Sequence, residues 1–80
     1  QPRLGSDIRK LLFEPVDEFT ALDIEEQVRV TIDNFEPRIK INKLDVISEP
    51  DNNRFKLSLE FQMITSLASG DLTFYLERIR

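Results

Sequence analysis

Eighty residues carrying 15 Asp+Glu against 11 Lys+Arg, with no His, Cys or Trp, describe a small acidic domain of net charge −4. Without cysteine there is no disulfide and no thiolate metal site; without histidine there is no Ser-His-Asp or Cys-His nucleophile and no imidazole-bound metal. The acidic balance argues against a nucleic-acid face, and no apolar run is long enough for a membrane span.

No repeat, low-complexity tract or Gly/Ser linker divides the chain, so residues 1–80 are read as one domain. It begins at Gln1 without Met and is expected to be the core of something longer. Ser6, after Gly5, is placed to cap a short helix running to Leu12, with Ile8, Leu11 and Leu12 on one side. Phe13–Phe19 reads as a connection that turns two aromatics inward. A longer helix follows, with Asp23 and Glu26 at capping-box spacing and Ile24, Val28, Ile32 and Phe35 recurring every three or four residues. Pro37 disfavours a helical Glu36, so this helix is expected to stop near Asn34 or Phe35.

From Ile39 the period becomes two. Ile39 and Ile41 alternate, then Leu44 and Val46 continue one residue out of phase, which a β-bulge at Asn42-Lys43 reconciles. Pro50-Asp51-Asn52-Asn53 is turn chemistry. Phe55, Leu57, Leu59, Phe61 and Met63 alternate without a break, marking the central strand. After a Ser66–Gly70 loop, a last strand puts Leu72, Phe74 and Leu76 on one side. The expected fold is α+β, with two N-terminal helices packed on one face of a three-stranded antiparallel meander.

Such a meander has two edge strands, and exposed edges are normally blunted. Lys40 and Lys43 near one edge, and Arg78 and Arg80 near the other, are candidates for that role; the alternative is an edge that receives a partner's strand. Catalysis finds little support. A glycosidase needs two carboxyls roughly 5 to 9.5 Å apart, and Glu14, Asp17, Glu18 and Glu36 are the loop or helix-end candidates. Asp51-Asn52-Asn53 opens like a calcium loop but has Lys56 where Gly is needed and Gln62 where Glu is needed.

Glu36-Pro37-Arg38, at the junction of helix and sheet, is the remaining constellation. An extended backbone there would send Glu36 and Arg38 to the same side, either as an intrachain ion pair or as a pair offered to an interface. The triplet after an amphipathic helix, the meander behind it, Pro2-Arg3-Leu4-Gly5-Ser6-Asp7-Ile8 and Leu11-Leu12-Phe13-Glu14 with Ile24-Glu25-Glu26-Gln27-Val28 together resemble a known family. It is the baseplate sheath-initiator family of contractile injection machines, named after the gene 25 product of T-even phages. Leu4 stands where that family usually has Phe.

The resemblance implies a structural protein and not an enzyme, with no cofactor and no metal. It implies that Glu36, Pro37 and Arg38 dock on a helical core bundle of other wedge proteins. The sheet edges would template polymerisation of the tail sheath protein by strand sharing. Several copies would sit in the virion tail baseplate, assembled in the host cytoplasm, with neither nucleic acid nor membrane as partner. The alternative is a small lysozyme-like glycosidase that degrades cell wall.

Overall fold

The computed structural model describes residues 6–79, the side chains of Ser6 and Asp7 excepted. Helices α1 (Ser6–Leu11) and α2 (Glu18–Phe35) precede strands β1 (Ile39–Glu49), β2 (Arg54–Met63) and β3 (Ser69–Glu77). The strands form one antiparallel sheet in the order β1-β2-β3, so the chain is α+β with the expected meander. The capping side chain expected of Ser6 lies outside the described residues.

The long helix starts earlier than its capping-box spacing suggests. Asp17, in extended backbone, accepts a 2.8 Å hydrogen bond from the Thr20 N–H, and α2 runs from Glu18. Asp23 is therefore inside the helix, not at its cap. The two aromatics expected to turn inward do not: Phe13 is 48% and Phe19 79% exposed. Phe19 lies in α2 two residues from buried Ala21, about 200° around the helix, so it faces away from the core. Phe35 closes the helix as expected but is half-exposed, because the buried stripe of Ala21, Ile24 and Val28 ends a turn or more before it.

The bulge falls where the phase change requires it, between Ile41 and Lys43. It brings Leu44 and Val46 onto the same face as Leu59 and Leu57 of β2. Pro50–Asn52 makes a single 3-10 turn, and Asn53 takes left-handed backbone (φ 53°), which an Asn tolerates. Phe55, Leu57 and Leu59 of β2 join Leu44 and the α2 stripe in one buried cluster, with Ile8, Leu11 and Leu12 against it. The α2 helix lies against β1, and α1 lies against α2.

The second hairpin loop, residues 64–68, is as long as the expected Ser66–Gly70 loop but lies two residues earlier, since β2 ends at Met63 and β3 already begins at Ser69. Its left-handed residue is Leu67 (φ 61°), not a glycine. Gly70 serves a different purpose: it pairs across from Phe61, and a Cβ there would sit 3.0 Å from the ring. The aromatic covers the bare backbone.

Candidate functional site

The triplet sits where α2 hands the chain to β1. Glu36 caps the helix, its N–H donating to the Ile32 carbonyl at 2.8 Å. Its own carbonyl accepts from the Ile39 N–H at 3.0 Å, so Pro37 and Arg38 occupy a turn. The segment is thus not extended as the sequence suggested. Proline fixes φ at the first corner of that turn and has no N–H to satisfy. The strand-side exit is also tied down, because the Arg38 carbonyl accepts the Ile64 N–H at 2.8 Å from the β2–β3 hairpin.

The expected intrachain pair does form. Arg38 Nε donates to Glu36 Oε1 at 3.0 Å, with the arginine side chain 64% exposed. Glu36 engages only Nε; among the described residues the terminal guanidinium nitrogens have no further hydrogen bond. Those remaining donors form a planar fork suited to an incoming carboxylate or carbonyl. Exposed Phe35 adjoins this turn in sequence and exposed Ile64 through its hydrogen bond to Arg38. Only the hairpin pairing could have revealed Ile64 as its neighbour.

The other carboxylates do not assemble with Glu36. Glu14, Asp17 and Glu18 stand before or at the start of α2, while Glu36 stands at its end. Eighteen residues of helix separate the two ends by about 27 Å, far beyond a hydrolytic pair. Asp17 is occupied as the helix cap. Among the described residues no cluster of acids has the arrangement of a metal site.

The sheet edges differ from the expectation of two basic rims. The β1 edge carries Lys40 and Lys43, and Lys43 pairs with Asp45 at 3.6 Å. The β3 strand carries Asp71 and Glu77 and no base; Arg78 follows it, and Arg80 lies outside the described residues. At the far end of the sheet from the triplet, Arg54 Nε donates to Glu49 Oε1 at 2.7 Å, and the guanidinium stacks 4.0 Å from the Tyr75 ring centroid. The Glu49 hydrogen bond is the main reason the Arg54 pKa rises above its ordinary value, with the charges of Glu49, Tyr75 and Glu77 adding to it. The sequence does not reveal this cluster, because its three residues come from three different strands and only the register joins them.

The description "Baseplate wedge protein gp25" belongs to the family model that matches residues 1–67, a span that includes both helices, the triplet, β1 and β2. The chain belongs to this family. As a family member it is a structural component of a phage-type tail baseplate, assembled with other baseplate components. No curated protein matches it. The chain is similar in structure to a protein from Geobacter sulfurreducens provisionally named a tail lysozyme, with a TM-score of 0.77, 16% identity, 99% of this chain and 80% of that chain covered. At that identity the likeness concerns the fold alone, so this family member inherits no activity from the neighbour's name.

Proposed function

We propose that the chain is a non-enzymatic wedge subunit that seats on neighbouring wedge proteins through Glu36-Pro37-Arg38 and offers a sheet edge to the first ring of sheath subunits. Membership of the baseplate wedge family carries this reading. The form of the triplet supports it: a turn anchored on both sides by backbone hydrogen bonds presents an arginine with unused donors. A rigid presenter loses little entropy on docking. Eleven large apolar side chains are exposed against seven in the buried core, among the described residues, which suits a chain that works inside an assembly. The complex would form in the bacterial cytoplasm before the tail is complete, in several copies per baseplate.

Arg38→Ala tests the docking. The free domain should lose no more than about 1 kcal/mol, as for an exposed ion pair. Wedge binding, read by calorimetry, should fall by about 2 to 5 kcal/mol, as for a truncated interfacial charge. A variant that melts early and binds normally would assign Arg38 to intrachain structure. The lysozyme reading has its own test: purified chain incubated with peptidoglycan should release no reducing sugar, and release that Glu36→Gln or Glu14→Gln abolishes would establish it.

A further inference from the structure

We infer that the free edge of β3, not that of β1, receives the partner strand, and that this strand alternates apolar residues with basic ones. The inference rests on the strand-sharing reading above and adds which edge is used and what it recognises.

The backbone pattern identifies the open groups. At one end of the β2–β3 ladder the Met63 N–H donates to the Ala68 carbonyl, and at the other the Arg78 N–H donates to the Asn53 carbonyl. Hydrogen-bonded pairs recur at every second position of an antiparallel ladder, and both ends set the same phase. Gly70, Leu72, Phe74 and Leu76 therefore bond to β2. The N–H and C=O groups of Asp71, Thr73, Tyr75 and Glu77 point to the open side. This row is unbroken from Asp71 to Glu77, since β2 and β3 pair without a register shift; just past it the Ile79 N–H, next in the same phase, already donates to the Leu12 carbonyl at 2.7 Å. The β1 edge is interrupted by its bulge and guarded by Lys40 and Lys43, two devices that discourage pairing.

Side chains define the incoming strand. Leu72 and Phe74 pair with buried Leu59 and Leu57, so they lie on the core face, yet they are 52% and 42% exposed. The α2 helix lies on this same face but against β1, at the opposite edge of the sheet, and makes no comparable contact with β3. An added strand would place its own apolar residues beside Leu72 and Phe74. On the opposite face Asp71 stands directly across from Glu60, a like-charged pair with no cation in salt-bridge range among the described residues. Glu77 occupies the same face at the far end of the strand, where it already stands across from Arg54. Basic residues at alternate positions of the added strand would lie against both acids.

The test uses the whole chain and two blocked nine-residue peptides, one alternating valine with lysine and one alternating valine with glutamate. Amide hydrogen exchange is followed by NMR. The lysine peptide should slow exchange at Asp71, Thr73, Tyr75 and Glu77 and bind about tenfold more tightly than the glutamate peptide, a ratio within reach of two exposed ion pairs. Thr73→Pro should remove that protection while the β1–β2 amides stay protected, and Asp71→Lys should narrow the preference between peptides. Equal binding of both peptides, slowing confined to the β1 edge, or a β3 edge already protected by self-association would each overturn the inference. The cognate sheath subunit separates the two levels. If it slows β1 edge amides, the choice of edge fails and strand sharing stands; if it binds and slows no edge amide, strand sharing itself fails.

Discussion

Leu67 holds a left-handed backbone conformation with its side chain 77% exposed. Left-handed backbone costs a residue with a Cβ about 1 to 2 kcal/mol, and little apolar burial is returned here. Glycine removes the clash but adds unfolded-state entropy. Leu67→Gly is therefore expected to raise the urea midpoint by the equivalent of about 0.5 to 1 kcal/mol. If Leu67 belongs to the docking surface beside Arg38, the same variant should weaken wedge binding, a combination that simple strain relief does not produce. Asp17 offers a second residue-scale measurement. Losing its bond to the Thr20 N–H should cost about 1 kcal/mol in Asp17→Ala, while Asp23→Ala should stay within about 0.5 kcal/mol. Equal losses would return the cap to Asp23.

At the scale of the elements, the polar face of the sheet is unevenly charged. Lys43, Glu60 and Asp71 pair in a row across β1, β2 and β3, so Glu60 has a cation on one side and an acid on the other. Asp71→Lys would convert the like-charged cross-strand pair into an opposite one. The expected gain is about 0.2 to 1 kcal/mol in thermal or urea unfolding, shrinking as salt is raised to 1 M. No gain at low salt would mean the two carboxylates are already apart in solution. The Arg54 cluster contributes differently. Its folded-state pKa is raised, so its contribution is complete at every pH below arginine's ordinary value and disappears only as pH rises through the raised one. Stability loss in Arg54→Met should accordingly be the same at pH 6 and pH 9.

The whole molecule rests on a small core. Total stability for 80 residues is about 4 to 12 kcal/mol, and among the described residues the buried cluster has seven apolar members. Among the described residues Phe55 is the largest fully buried side chain. Phe55→Ala should cost about 3 to 5 kcal/mol, enough to leave a marginal or unfolded chain at 37 °C by circular dichroism. Binding to a partner restores stability by mass action, so an excess of wedge protein should recover part of the lost melting temperature. Failure to recover any would mean that the wedge partner gives no preference to the folded state.

Some of this structure was written locally. Alternation from Phe55 to Met63 marked the central strand, the phase slip between Ile41 and Leu44 located the bulge, and Pro37 ended the helix at Phe35, because each signal depends on neighbours a few residues apart. The chemical identity of the triplet was equally legible. What the sequence left undecided depends on distant partners. Asp17 and Asp23 both look like caps, and the choice fell to the one that lets Ala21, Ile24 and Val28 meet the sheet. Leu72 and Phe74 read like core residues in the same alternation as Leu57, but among the described residues neither helix packs on β3 as α2 packs on β1, and a strand's own sequence does not record what lies above it. The Glu60–Asp71 opposition and the unbroken row of open groups on β3 arise from register, which fixes faces only once two strands have paired.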